Sequence, residues 1–122
     1  MKKDYRVKKS QEFEQIIKNK SFIVSPGIVL YIRKKRENHA RVGITVKKKI
    51  GNAVVRNKVK RQVRMMVSDI YDFNENFDSI LLIKEKFLEN DYNANKNILE
   101  TLYNKAKQVK IDKYEKNEKE KL

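Results

Sequence analysis

The chain has 122 residues, no cysteine and a formal net charge of +14, which suits one domain with a single modest core. The lack of cysteine excludes disulfides, thiolate metal sites and a thiol nucleophile, and no apolar run approaches the ~20 residues of a membrane span. No apolar segment of the kind found in signal peptides follows the N-terminal lysines. We therefore expect a cytoplasmic protein with polyanionic partners, either nucleic acid or an anionic membrane surface.

The positive charge is concentrated in the first half of the chain. Residues 1–64 contain 20 Lys/Arg and 4 Asp/Glu, whereas residues 65–122 contain 10 and 12. Residues 38–68 contain nine Lys/Arg and no acidic residue. Charge runs are usually solvated faces in which acids alternate with bases, so the absence of acids here favours an anion-binding surface.

The N-terminal segments predict an arm and a short helix. Residues 1–9 are basic and lack helical periodicity, so they form either an ordered arm or a frayed tail. Ser10 can cap a helix over about 11–19. The apolar residues of this helix fall on one face: Phe13, Ile16 and Ile17.

Two β segments follow the first helix. Pro26-Gly27 interrupts residues 22–33, which predicts two short strands or one bent edge strand. The alternation of residues 28–33 and 41–47 across the polar loop 34–39 predicts a β-hairpin. The side chains expected on its core face are aliphatic: Ile28, Leu30, Ile32, Val42, Ile44 and Val46.

Tyr31 belongs to the second face of this predicted hairpin, near Gly43, which has no side chain. An aromatic residue in that position is either half-buried packing or part of a platform on which nucleic-acid bases stack. The sequence alone leaves both alternatives open.

A two-faced helix is predicted over about 53–71, after Gly51 and the N-cap residue Asn52. At about 100° per residue, its apolar residues form a stripe about 80° wide: Val55, Val59, Val63, Met66 and Ile70. Polar and basic residues fill the opposite arc: Arg56, Asn57, Lys60, Arg61 and Arg64. One face is therefore expected to pack on the core and the other to meet an anion.

The remaining segments complete an α+β fold. The apolar run 79–83 predicts a strand covered on both faces, and 94–109 predicts an amphipathic helix. The inward residues of this helix are mainly apolar: Ile98, Leu99, Leu102, Tyr103 and Ala106. We predict a small, mainly antiparallel sheet packed with helices, in the order α-β-β-β-α-β-α. Residues 1–109 would form one RNA-binding domain, and 110–122 a disordered charged tail.

Catalytic chemistry by the chain itself is not indicated. His39 is the one histidine and falls in a predicted loop, where a lone histidine is usually an ordinary surface residue. The serines have no identifiable His/Asp partner, and no His/Cys/Asp cluster has metal-ligand spacing. We therefore predict no catalytic residue and no metal site in the protein.

The basic helix indicates nucleic-acid binding, with Arg and Asn suited to bidentate hydrogen bonds and Lys to phosphates. This chemistry fits a DNA-binding regulator, an RNA-binding protein, or a ribosomal protein or other structured-RNA-binding scaffold. The physical argument does not choose among them.

A specific pattern in this region resembles a known family. Gly51-Asn52-Ala53, Arg56-Asn57 and Lys60-Arg61, followed by Arg64, are similar to the signature helix of the bacterial ribonuclease P protein component. The strand Arg41–Ile44 and the segment Lys48–Ile50 also match, as do Lys8, Lys9 and Phe13 near the N-terminus. The resemblance covers about residues 5–107.

The resemblance implies a cytoplasmic protein subunit of ribonuclease P, which removes the 5′ leader from precursor tRNA. In this family the RNA subunit holds the active site and its Mg²⁺, so the expected partners are the ribonuclease P RNA and precursor tRNA, with no membrane and no DNA. The implied fold is a ribosomal-protein-like sandwich with a left-handed β-α-β crossover, which departs from the usual right-handed rule.

The resemblance also implies roles for individual residues. Those expected to bind the catalytic RNA are Lys48, Lys49, Asn52, Arg56, Asn57, Lys60, Arg61 and Arg64. Those expected to bind the leader are Lys8, Phe13 and Tyr31. Two positions depart from the family pattern: Ile17 replaces a frequent second aromatic residue, and Lys47 replaces a small polar one.

Overall fold

The computed structural model describes residues 3–18 and 21–121, with side chains for 4–18 and 21–108. Its α-helices are α1 (Ser10–Lys18), α2 (Ala53–Ile70) and α3 (Tyr92–Lys121). Its strands are β1 (Phe22–Val24), β2 (Ile28–Lys34), β3 (Val42–Val46) and β4 (Phe77–Ile83). Short 3-10 helices span Lys3–Tyr5, Lys48–Ile50 and Glu85–Glu89. The predicted α+β class and element order are confirmed.

The four strands form one sheet in the order β1-β2-β4-β3. Strands β1 and β2 form an antiparallel hairpin around Pro26-Gly27, and β2 pairs antiparallel with β4. The predicted hairpin of 28–33 with 41–47 is wrong, because β4 lies between these strands and pairs in parallel with β3. The reason is the apolar character of β4, which requires cover on both faces and places it in the sheet interior.

The predicted strand faces are confirmed although the pairing is not. Ile28, Leu30 and Val42 point into the main core, which also contains Val59 of α2 and Leu99 of α3. The opposite sheet face packs against α1 through a smaller cluster: Val7, Ile16 and Ile80, with Phe13, Ile17 and Tyr31 partly buried against it. Helix α1 therefore lies on one face of the sheet, and α2 and α3 lie on the other.

The parallel strands β3 and β4 are joined through α2, so the expected β-α-β unit is present. Its handedness remains an expectation that comes from the family resemblance.

The last helix is longer than the sequence predicts. Helix α3 extends to Lys121, whereas periodicity predicts an end near 109. Its buried face matches the prediction, with Leu99, Leu102 and Tyr103 in the core. Side chains from 109 onward lie outside the described part, and the division between a domain at 1–109 and a disordered tail at 110–122 stays a prediction.

Residues 4–9 form an ordered arm. The backbone N–H of Val7 donates to the carbonyl of Val42 (3.1 Å), and Arg6 forms a parallel bridge with Val42. The ring of Tyr5 stacks on Phe73 with centroids 4.2 Å apart. These contacts cover the edge of β3, which would otherwise offer unpaired backbone groups to other chains.

Candidate RNA interface

A tight turn connects β3 to α2 and presents exposed lysines. Gly51 has φ 156, a backbone conformation adopted almost only by glycine. Lys48 and Lys49 are adjacent exposed residues of the short 3-10 turn Lys48–Ile50, while Ile50 is buried and holds the turn against the core. The two predicted lysines are therefore displayed on a fixed loop.

Asn52 has a structural role that the sequence predicts. Its Oδ1 accepts a hydrogen bond from the N–H of Val55 (3.1 Å), which caps α2. The cap satisfies one of the free N–H groups at the start of the helix. For a contact with RNA, Asn52 keeps its two Nδ2 donors and a second lone pair on Oδ1.

The basic face of α2 is graded in its exposure. Arg56, Lys60 and Arg64 are half-buried along one flank, and Asn57 and Arg61 are exposed beyond them. Five of the eight residues predicted to bind the catalytic RNA thus lie on this side of α2, and the other three lie in the turn that leads into the helix: Lys48, Lys49 and Asn52. This face is opposite the buried stripe of Val59, Val63 and Met66.

A groove beside α1 contains two of the three predicted leader residues. It has a volume of about 300 Å³, and we call it the α1 groove. Its walls come from the arm, from α1 and from β3: Lys8, Ser10, Phe13, Glu14, Ile17, Ile44 and Thr45. The lining contains one ammonium group, that of Lys8, and one carboxylate, that of Glu14. Its apolar and aromatic walls suit the bases of a nucleotide chain, and Lys8 can pair with a phosphate.

Tyr31 is close to this groove without being part of its lining. It lies on β2, partly buried against the same cluster as Phe13. Its cross-strand neighbour is Phe22, whose ring centroid is 5.6 Å away. Phe22 is 52% exposed and extends the aromatic surface; sequence reasoning missed it because the role of 22–24 depended on the β1–β2 register.

A buried ion-pair cluster fixes α1 to the sheet. The guanidinium of Arg41 binds Glu12 of α1 and Asp78 of β4, and Arg33 also binds Asp78 (3.3 Å). Asp78 is fully buried and accepts a further hydrogen bond from the N–H of Arg41 (2.9 Å). The hydrogen bond from Arg41 holds the pKa of Glu12 below its ordinary value. The cluster sets the position of α1, and hence the shape of the groove.

The two surfaces meet at strand β3. The α1 groove uses Ile44 and Thr45 of this strand, and the loop of Lys48 and Lys49 begins directly after it. In the part of the chain described by the structure, no group of three His, Cys, Asp or Glu residues could hold a metal ion. No helix within those residues is long and apolar enough to cross a bilayer.

Comparison with known proteins decides the family. The Ribonuclease P family model matches residues 1–107. The chain belongs to the ribonuclease P protein family. The ribonuclease P protein component of Streptococcus agalactiae is 37% identical over 103 residues, which are 84% of this chain and 94% of that protein.

Solved structures of ribonuclease P proteins share the fold. A mutant of the Staphylococcus aureus RNase P protein has a TM-score of 0.77 at 32% identity, over 86% of this chain and 90% of that one. The RNase P protein from Thermotoga maritima has a TM-score of 0.66 at 28% identity, over 80% and 94%. This chain therefore has the fold of the ribonuclease P proteins.

Proposed function

We propose that this chain is the protein subunit of a ribonuclease P that matures the 5′ ends of tRNA. The basic face of α2 and the loop before it bind the catalytic RNA, and the α1 groove binds the single-stranded leader of precursor tRNA. The phosphodiester bond is hydrolysed in the RNA subunit with Mg²⁺ held there. The protein contributes by binding and orienting the substrate.

The observation that carries this proposal is the arrangement of two different surfaces around β3. The α2 surface is basic, which suits the phosphates of a folded RNA. The α1 groove is partly aromatic, which suits an unpaired strand. Because α1 and α2 lie on opposite faces of the sheet, both RNAs can be bound at the same time.

The charge pattern of α2 supports a phosphate partner. Arg56, Lys60 and Arg64 follow one another at i, i+4, and like charges at this spacing destabilise a helix by a few tenths of a kcal/mol per pair. Their half-buried positions add to this cost. Phosphates bound between these side chains would replace the repulsion by a net attraction, so the pattern is favourable only when an anion is bound.

The groove chemistry supports a leader strand. The ring of Phe13 offers a stacking surface, and base–aromatic stacking contributes roughly 1–3 kcal/mol per base. The ammonium group of exposed Lys8 can pair with a backbone phosphate. Neither contact depends strongly on base identity, so we expect broad tolerance of leader sequences.

Reconstitution with the cognate RNA tests the proposal. At a Mg²⁺ concentration too low for the RNA alone, adding the protein should restore cleavage of precursor tRNA at the mature 5′ end. Phe13→Ala should raise the substrate KM while RNA assembly stays intact. Leu88→Ala removes another exposed apolar side chain, one that is not part of the groove lining, and should leave the substrate KM unchanged. If the protein gave no cleavage with this RNA, a structured-RNA-binding scaffold would be the better description.

A further inference from the structure

A cavity that the proposed function does not use lies between α2, the 3-10 helix Glu85–Glu89 and the start of α3. Its volume is about 380 Å³, within the range of small-molecule sites. We call it the interhelical pocket. Because α2 and α3 pack on the sheet face opposite α1, the pocket is separate from the α1 groove.

The floor of the interhelical pocket contains a buried amide with an unused acceptor. Val59, Phe87 and Asn95 line the pocket and are each 2% exposed. Asn95 Nδ2 donates to the carbonyl oxygens of Phe87 (2.8 Å) and Asn90 (3.4 Å), which fixes the orientation of the amide. Asn95 Oδ1 is buried and has no hydrogen-bond partner among the described residues. An unpaired buried acceptor is unfavourable, so a ligand that brings an N–H group to this floor gains a hydrogen bond.

The rim of the interhelical pocket is apolar and aromatic. Val54 is 77% exposed and Leu88 is 51% exposed, and the half-buried Tyr92 adds an aromatic ring to the lining. Large apolar side chains left in solvent around a cavity are typical of a binding site.

The charge of the interhelical pocket is close to neutral. Its lining contains one basic and one acidic side chain, Lys58 and Asp91. The carboxylate of Asp91 accepts a hydrogen bond from the N–H of Ala94 (2.8 Å) at the start of α3. The pocket therefore suits an uncharged planar group with N–H donors better than it suits a phosphate.

The interhelical pocket adjoins the surface proposed for the catalytic RNA. Lys58 in its lining and Arg61 on the basic face are neighbours at i, i+3 on α2, where Cβ atoms are about 5–6 Å apart. The turn Lys48–Ile50 packs against the 3-10 helix that contributes Phe87 and Leu88 to the pocket. An RNA strand held by the turn and by Arg61 therefore passes the mouth of the pocket.

We propose that the interhelical pocket binds one unstacked base of the catalytic RNA. The base packs on Tyr92 and the apolar rim, and an N–H group on its edge approaches Oδ1 of Asn95. Unpaired bases of RNA are commonly recognised by stacking on aromatic side chains combined with hydrogen bonds to their edges. The exposed ammonium group of Lys58 has no part in this contact. The inference rests on the proposed function, since it requires the catalytic RNA to lie on α2.

The first test measures holoenzyme assembly with a variant whose pocket is filled. Gln62 lines the pocket from α2 and is half-buried, so the ring of Gln62→Trp can occupy the cavity without removal of a core side chain. Affinity for the catalytic RNA should fall about five-fold or more, the contribution of one stacked base. The slope of log K against log salt should stay at the wild-type value, because an uncharged base releases no counterions.

Chemical modification of the RNA identifies the occupant. Dimethyl sulfate and a carbodiimide attack base edges, and they should show one unpaired base of the catalytic RNA that the wild-type protein protects, with or without precursor tRNA. This base should regain its reactivity with Gln62→Trp. Tyr92→Leu keeps an apolar side chain and removes the ring, so it should expose the same base, and it provides the test if Gln62→Trp does not fold.

Met65→Trp is the matched control, because it adds the same ring to an exposed position of α2 outside the pocket lining. It should keep wild-type affinity and base protection. The inference is overturned if Met65→Trp and Gln62→Trp act alike, or if the protected base lies in the tRNA. It is also overturned if neither Gln62→Trp nor Tyr92→Leu changes the reactivity of any base, even where affinity falls, since the pocket would then hold something other than a base.

Failure of this inference is distinguishable from failure of the proposed function. If the wild-type protein restores cleavage of precursor tRNA and the KM responds to Phe13→Ala, the proposed function survives whatever the interhelical pocket binds. If the wild-type protein does not bind the catalytic RNA, both fall.

Discussion

The ring of Phe13 in α1 lies directly over Gly43 in β3. A Cβ atom built on Gly43 would be 2.6 Å from Cζ of Phe13 and 2.6 Å from Cδ1 of Ile80, closer than side chains pack. The absence of a side chain at 43 therefore lets α1 approach the sheet closely. This contact fixes the distance between the Phe13 ring, which is the aromatic wall of the α1 groove, and the sheet.

Gly43→Ala should consequently change the groove more than the fold. The added methyl group overpacks the contact, with a typical cost of about 1–3 kcal/mol, and the partly exposed Phe13 ring can move more easily than the buried Ile80. We expect a moderate loss of stability in urea unfolding and a weaker preference of the holoenzyme for precursor over mature tRNA.

A double-mutant cycle with Phe13→Ala tests whether Gly43→Ala weakens substrate binding by displacing the Phe13 ring or by a general loss of stability. If Gly43→Ala acts through the ring, the losses of substrate affinity should be far from additive. Fully additive losses would show that Gly43 affects binding by another route.

Arg61→Ala should weaken assembly with the catalytic RNA without destabilising the fold. Arg61 is exposed on the basic face of α2, so its loss removes a phosphate contact and should reduce the slope of log K against log salt by about 1. The charge-matched control is Lys58→Ala, because Lys58 lies on the other flank of α2 beside Phe87 and Leu88. Equal effects of both variants would mean that total charge, rather than this face, determines assembly.

Val59→Ala should have the opposite effect. Val59 is 2% exposed in the main core, so its truncation should cost roughly 0.5–3 kcal/mol of unfolding free energy. Binding of the folded variant to RNA should be close to wild type at a temperature well below its unfolding midpoint. A stable Val59→Ala protein with impaired RNA binding would show that the two faces of α2 are wrongly assigned.

The faces of the elements are predictable from the sequence, but the sheet order is not. The alternation in 28–33 and 41–47 identifies which side chains of β2 and β3 point to the core. Periodicity within a strand contains no information about its neighbour, and the short polar loop 34–39 favoured a hairpin. The insertion of β4 depends on long-range burial of residues 79–83, which local patterns do not encode.

The candidate site divides in the same way. Helical spacing suffices to place Arg56, Asn57 and Arg61 on one face of α2. The α1 groove forms only through tertiary contacts, which local sequence patterns do not reveal. These contacts are the packing of Val7 from the arm and the ion pair between Glu12 and Arg41, which are 29 positions apart. Periodicity predicted that Phe13 lies on the apolar face of α1, but its role in leader binding came only from the family resemblance.

The ion pair of Glu12 predicts a pH-dependent contribution to stability. Because Arg41 lowers the pKa of Glu12 below its ordinary value of 4.5, the folded protein holds this proton less tightly than the unfolded chain. The stabilisation is present above the ordinary pKa and is lost as the pH falls through the lowered one. Glu12→Gln should therefore be less stable than wild type near neutral pH, and the difference should shrink on acidification.

Urea unfolding across a pH series measures this difference. Glu14→Gln is the control, since it removes a carboxylate from the same helix without the Arg41 contact. A gap between Glu12→Gln and wild type that stays constant from neutral to acidic pH would contradict the assigned linkage.

The affinity of the holoenzyme for precursor tRNA relative to mature tRNA tests the central claim most directly. We predict that the wild-type complex binds the precursor at least about five-fold more tightly, the contribution of one stacked base, and that Phe13→Ala removes most of this preference. Equal affinity of the wild-type holoenzyme for the two tRNAs would contradict leader binding by the protein.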